Sequence, residues 1–140
     1  MALLDEVATY IADGGIASTS AGSTGFQLWK GGMPDSTAVS DRAVLVRQTG
    51  GSPPLWTLGI DQPTFQVVVR GARMAEVSSA YKEARAKIQA IRDRLHYAVA
   101  TLSTVAYPGI LAQQEPFSMG EDMEQRPVFV CNFSAWRVQP

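Results

Sequence analysis

The chain has 140 residues, of which 46% are hydrophobic and 18% are charged, and its formal net charge at pH 7 is −1. This length suits one domain around one core, and the composition excludes disorder over most of the chain. The near-neutral charge excludes a global electrostatic attraction to nucleic acid or to an anionic membrane.

Cys131 is the only cysteine, so neither an intramolecular disulfide nor a cysteine-based zinc site is expected. Asp5 and Glu6 occupy the region where a signal peptide would carry basic residues. No apolar run approaches the roughly 20 residues that span a bilayer. We therefore expect synthesis in a reducing cytoplasm and no membrane contact.

The first half of the chain predicts one short helix and several strands. Leu3, Val7 and Ile11 recur at helical spacing, and Gly14 ends the helix because glycine adopts the C-cap conformation easily. In chain order the prediction is a helix over 2–13, a mobile Gly/Ser/Thr loop over 14–25, a strand over 26–30, a turn over 31–36, a strand over 42–49, a long mobile connection over 50–63 and a strand over 64–70.

The second half predicts a long helix followed by strands. An apolar stripe from Val77 to Leu95 predicts the helix over 74–97. Strands are predicted over 102–107, 110–115 and 127–137, with a mobile turn over 116–126. In the last strand Phe129, Cys131, Phe133 and Ala135 share one face.

The predicted order is α-β-β-β-α-β-β-β. Strands that follow one another without an intervening helix favour a mainly antiparallel sheet, and the long helix is expected to cross one face. The sequence therefore predicts a single α+β domain over residues 1–140.

The sequence carries no catalytic signature, and we predict no catalytic, cofactor-binding or metal-binding residue. His96 is the only histidine, and it fits the end of the long helix, where the helix dipole favours a cation. A Cys131–His96 dyad is the alternative, although Cys131 lies on an apolar strand face. The acidic residues Glu121, Asp122 and Glu124 lack EF-hand spacing and indicate a solvated hairpin tip.

The connection over 50–63 is the first candidate interface. It places Leu55, Trp56, Leu58 and Ile60 between glycines and prolines. Loops usually run over the surface, so these apolar side chains require burial against something. Two alternatives remain: they cover the domain's own core, or they contact a neighbouring subunit.

Basic side chains form the second candidate interface. Arg70 follows a strand and is expected either to bridge to a carboxylate, within the subunit or on a neighbour, or to be a solvated strand position. Arg85 and Arg92 flank one side of the helix's apolar stripe. They form a solvated rim, intersubunit ion pairs or contacts with passing DNA.

Four segments, spread over nearly the whole chain, carry a resemblance to a known family. The first two are the helix and Gly-Gly-Ile turn at 4–16, and the strand and Met-Pro-Asp turn at 26–35 with the Thr-Gly-Gly-Ser-Pro-Pro connection at 49–54. The other two are the strand-Arg-Gly unit at 67–71 with its helix, and the closing hairpin at 120–133. Together they resemble the bacteriophage minor capsid and tail-terminator-like protein family. A Ser/Thr-rich insertion at 18–24 departs from the family's pattern and extends the first loop.

The resemblance implies a structural virion protein without cofactors rather than an enzyme. Its subunits would form a homo-oligomeric, hexameric ring that caps the head-proximal end of the tail tube. The partners would be the tail tube protein and the head-tail connector protein, with DNA passing through the lumen without specific binding. The location would be the tail or neck of the virion, after synthesis in the bacterial host cytoplasm. The alternatives are another neck component, such as a head-closure or connector subunit, and a small hydrolase.

Overall fold

In the computed structural model, the chain folds into a mixed α+β structure in which a seven-stranded sheet carries two helices on one face. The structure describes residues 3–17, 25–32, 41–55, 59–102 and 105–138, with the backbone alone at 52–55 and 100. The elements are α1 (Leu3–Asp13), β1 (Gln27–Lys30), β2 (Ala43–Leu55), β3 (Ile60–Arg70), α2 (Ala80–Leu95), β4 (Ala98–Leu102), β5 (Val105–Ala112), β6 (Phe117–Glu121) and β7 (Pro127–Val138).

The strands are ordered β1-β2-β3-β7-β5-β4, and β6 also pairs with β7. β1 runs parallel to β2, whereas the other pairings are antiparallel. The sheet is therefore mixed, and the parallel β1 corrects the prediction of a mainly antiparallel sheet. Parallel neighbours need a crossover of about a dozen residues, and residues 31–42 supply that length. Most of the predicted turn over 31–36, and the centre of the loop predicted over 14–25, lie outside the described residues.

Both helices are short, with 11 residues in α1 and 16 in α2. The first agrees with the predicted helix over 2–13, but the long helix predicted over 74–97 is wrong in length. Residues 74–79 form turns instead, and the backbone N–H of Met74 donates to the carbonyl of Gln125 at 3.0 Å. That bond ties the segment to the chain near β7, and the helix begins only after Ser79.

Two predicted connections contain strands. Most of the connection predicted over 50–63 belongs to β2 and β3, which pair from Ala43↔Arg70 to Leu55↔Ile60 with two register shifts. The turn predicted over 116–126 contains β6, which adds a strand to the predicted order. The strands predicted over 102–107 and 110–115 correspond to β4 and β5, displaced toward the N-terminus.

The helices and the inward side chains of the sheet form the main core. The strand predicted over 64–70 is confirmed within β3, and its Phe65, Val67 and Val69 are fully buried on the helix side. The predicted inward face of β7 is confirmed in the same way, and Phe65 stacks on Phe133 with ring centroids 5.2 Å apart. Of the predicted stripe on α2, Tyr81 remains 48% exposed and lies edge-on to Phe129.

A buried ion pair crosses this core. Glu6 on α1 has no exposed surface, and Arg137 on β7 donates to its carboxylate at 2.7 and 3.0 Å. The hydroxyl of Tyr107 on β5 donates to the same carboxylate at 3.3 Å. Burial, and then the charge of Glu6, raise the pKa of Tyr107 above its usual range, so it stays a neutral donor. The pair joins residues near the two ends of the chain.

Removing this buried charge should destabilise the subunit much more than removing an exposed one. We expect Glu6→Gln to lower the free energy of unfolding by about 3 kcal/mol, because Arg137 loses a full buried counter-charge. The loss stays at the low end of the range for broken buried pairs because Asp61 lies 3.8 Å from Arg137 and remains a partner. Urea denaturation at a fixed, low protein concentration measures it.

Asp5→Asn is the matched control, one residue earlier on the same helix. Asp5 pairs with Lys30 at 2.6 Å, but these side chains are 38% and 44% exposed. Its loss should stay at or below about 1 kcal/mol. Equal, small losses for the two variants would contradict the structural role assigned to Glu6.

Candidate functional site

Of the apolar residues predicted as an interface, Leu55 ends β2 and Ile60 begins β3 at the tip of the β2–β3 hairpin. The backbone of Leu55 pairs with Ile60, and Ile60 pairs in turn with Val138 of β7. Ile60 is half-buried, and Val138 is 38% exposed. Trp56 and Leu58 lie outside the described residues. The interface role of this hairpin tip remains a prediction.

The predicted arginines have different environments. Arg70 is only 5% exposed, and its Nε donates to the carbonyl of Asp41 at 2.9 Å. Arg92 pairs with Glu115 at 3.1 Å within the subunit. Arg85 is exposed on α2. Arg85 is therefore the arginine of this set that is best placed to reach another molecule.

His96 and Cys131 have structural environments. His96 is the C-cap of α2, as predicted, and its Nδ1 accepts the backbone N–H of Ala112 at 2.9 Å. Cys131 is fully buried, and burial raises the pKa of its thiol to about 11. A thiol with that pKa is protonated at neutral pH and is a poor nucleophile.

The segment 117–127, here called the β6 hairpin, consists of β6 and the turn that leads into β7. β6 pairs with the first half of β7, while β5 pairs with the second half. Every residue of β6 is exposed, including Phe117 at 38% and Met119 at 63%. Met123, at the turn, is fully exposed. The sequence analysis missed these side chains, although the alternation from Phe117 to Met119 was a weak strand signal.

A charge network fixes the turn of the β6 hairpin to the body of the same subunit. Arg126 is 4% exposed, and its guanidinium contacts Asp122 at 2.7 Å and Asp41 at 3.1 Å. Arg73 contacts Asp41 at 3.4 Å and Glu124 at 3.5 Å. The predicted solvated acidic tip is therefore only partly solvated, because Asp122 is committed to this network. The turn is thus held in a defined position.

Asp122 also organises the turn itself. Its Oδ1 accepts the backbone N–H of Glu124 at 2.9 Å and of Arg126 at 3.0 Å. Burial alone would raise the pKa of the Asp122 carboxyl, but these hydrogen bonds and the Arg126 guanidinium outweigh it and lower the pKa below 3.8. The ionised form thus stabilises the folded hairpin.

On the opposite face of the sheet from the helices, apolar side chains line up across neighbouring strands. The registers Trp29↔Leu45, Leu45↔Val68, Val68↔Val130 and Val130↔Phe117 place one residue of each strand in a row. The three central residues are 4–7% exposed and form a small cluster of their own. The row connects β1 at one edge of this part of the sheet with the β6 hairpin at the other.

A cavity of about 350 Å³ lies on the helix side, beside β1. It is called the α2 groove here and is lined by Phe26, Arg42, Glu83, Ala86, Lys87 and Ala90. Lys87 lies over the Phe26 ring at 5.0 Å, and its Nζ donates to the carbonyl of Ile16 at 2.6 Å. Burial lowers the pKa of Lys87. Ala86 and Ala90 are exposed and one turn apart, so the helix offers little bulk at this point.

Within the described ranges, no group of three or more His, Cys, Asp or Glu side chains is arranged to hold a metal ion. Neither helix in that part of the chain has the length and apolar character needed to cross a membrane. The described surface includes the β6 hairpin, the α2 groove and the exposed side chains of Tyr97 and Val99 at the start of β4.

No family model matches the chain, and no curated protein matches it. Among solved structures, it is similar to a chain of the "Virion of native gene transfer agent (GTA) particle", with a TM-score of 0.68 and 14% sequence identity. The match covers 97% of this chain and 94% of that chain. At this identity the likeness shows a shared fold over nearly the full length of both.

The hairpin network predicts a specific acid sensitivity. Because the folded pKa of Asp122 lies below its unfolded value, its stabilising effect is present above pH 3.8 and is lost as the pH falls through the folded pKa. We expect Asp122→Asn to cost about 1 kcal/mol at neutral pH, since charge-assisted hydrogen bonds become neutral ones. The variant should also lose less stability than the wild type between neutral and acidic pH, as measured by thermal melting across that range.

The control is Glu121→Gln, which removes an exposed carboxylate from the same hairpin. Its melting should follow the wild type at every pH. If Asp122→Asn and Glu121→Gln have the same pH profile, the Asp122 network does not stabilise the hairpin.

Proposed function

We propose that this chain is a structural subunit of a phage-like virion, and that it forms the tail-terminator ring between tail tube and head. The observation that carries the proposal is the fold shared with a virion chain over nearly the whole length of both proteins. The resemblance of the sequence to tail-terminator-like proteins points to the same class.

The side chains support a role in assembly rather than catalysis. Cys131 is buried as a protonated thiol, and His96 caps a helix. Met119 and Met123 are instead exposed together on the β6 hairpin, and Tyr97 and Val99 are exposed at the start of β4. Large exposed apolar side chains grouped on one element are typical of protein contacts.

In the proposed ring, each subunit contacts two neighbours through different surfaces, and the partners are the tail tube protein and the head-tail connector protein. The ring is hexameric, and DNA passes through its lumen without specific binding. A net charge of −1 suits such a lumen, because a strongly basic lining would retain the DNA. The location is the tail or neck of the virion, after synthesis in the host cytoplasm.

The test is reconstitution with tail tubes from the same particle. Negative-stain imaging should show the purified protein as rings, bound at one end of the tubes, and light scattering should give the mass of the ring. Binding to the connector without binding to tubes would instead indicate another neck component. A protein that stays monomeric at high concentration and binds neither tubes nor connector would overturn the proposal.

A further inference from the structure

We propose that the β6 hairpin of one copy inserts its tip into the α2 groove of the next copy. This inference rests on the proposed ring and names the contact that would build it. The occupant of the groove is a second copy of this chain, with Met123 at the tip and Glu121 beside it.

The groove and the hairpin tip are separate surfaces of the subunit. In the part of the sheet that runs β1-β2-β3-β7-β6, the hairpin contains the last strand. The α2 groove lies beside the starts of β1 and β2, because Phe26 directly precedes β1 and Arg42 directly precedes β2. The hairpin turn is held at Asp41 and Arg73 of its own subunit, and its exposed tip is placed to meet the groove of a neighbour. Repeating such a contact gives a head-to-tail assembly, which closes into a ring when the rotation allows it.

The hairpin has the properties of an inserted element. Its turn is fixed by the buried Arg126 and its contacts to Asp122 and Asp41. Within this turn, Met123 is entirely exposed to solvent. A methionine side chain is flexible and polarizable, and it fits irregular apolar surfaces well. A rigid turn with one adaptable side chain loses little entropy when it binds.

The groove has the size to receive that tip. A cavity of roughly 150 Å³ is enough to bind benzene, and the α2 groove measures about 350 Å³. Because Ala86 and Ala90 have small side chains, α2 leaves room in the groove, and the Phe26 ring forms an apolar wall. A methionine side chain can therefore enter without displacing a large residue.

The charges of the two surfaces are opposite. The hairpin carries Glu121 and Glu124 in exposed positions, with Glu124 partly paired to Arg73. The solvent-facing side of α2 carries Lys82 and Arg85, which are exposed next to the groove. The partner of Arg85 in this contact is the acidic flank of a neighbouring hairpin. Complementary potentials of this kind set the orientation of a contact and suppress wrong pairings.

Disulfide trapping tests the contact directly. Met123→Cys and Ala86→Cys are made as separate proteins, mixed and oxidised, and the covalent product is measured on a non-reducing gel. We expect a heterodimer from this mixture. The control mixture pairs Met123→Cys with Thr101→Cys, an exposed position on β4, and should give no more product than either protein alone. Cys131 contributes no background because it is fully buried.

Charge reversal gives an independent measurement. Glu121→Arg and Arg85→Glu should each weaken self-association by at least roughly tenfold, as expected for a contact at an interface hot spot. Mixing the two variants should restore association. When the two proteins alternate, the hairpin and the helix that meet at each contact again carry opposite charges. Unchanged thermal melting of each variant at low concentration shows that the fold is intact.

The outcomes separate this inference from the proposed function. If rings form in both charge-reversal variants and no disulfide product appears, the hairpin contact is overturned but the proposed ring is not. A disulfide and charge rescue without closed rings or tube binding support the contact and overturn the terminator role. A protein that neither associates nor forms the disulfide overturns both.

Discussion

The buried pair between Glu6 and Arg137 is the contact on which the arrangement of the subunit depends. It joins the first helix to the last strand, and Tyr107 of β5 completes it. Burying two charges is costly unless their geometry is good and their remaining donors are satisfied. A shift of α1 along the sheet would leave the Glu6 carboxylate buried without its partners. The pair therefore specifies where α1 sits as much as it stabilises the fold.

β7 pairs with β3 on one side along both of its halves, and with two different strands on its other side. Its second half pairs with β5, and its first half pairs with β6. A second ionic network, around Arg126, fixes the turn that joins β6 to β7. The network at Glu6 closes the core, whereas the network at Arg126 holds an exposed hairpin. One strand therefore joins the core to that hairpin.

The strand faces could be predicted from sequence because burial imposes a period of two on residues such as Phe65 and Phe133. The parallel pairing of β1 with β2 could not be predicted, because the hydrophobic pattern of a strand does not show in which direction it pairs with the next. β6 was missed because all of its side chains are exposed, so that Phe117 and Met119 gave only a weak alternation signal. The partners of Arg126 and Arg70 were beyond prediction for a related reason: they depend on Asp41, which is distant in sequence and close in space.

A single hairpin tip in a shallow groove buries less area than a stable isolated dimer requires, which has a consequence for assembly. Each pairwise contact would be weak, and only closure of the ring, where each subunit is held on two sides, would give a lasting complex. The near-zero net charge favours this arrangement, because subunits that carry a basic helix and an acidic hairpin on separate surfaces attract head to tail without a global repulsion to overcome. A tail tube end that presents its own symmetric sites would then act as the template on which such subunits close. Rings that assemble by themselves at high concentration would thus close on a completed tube at a lower concentration.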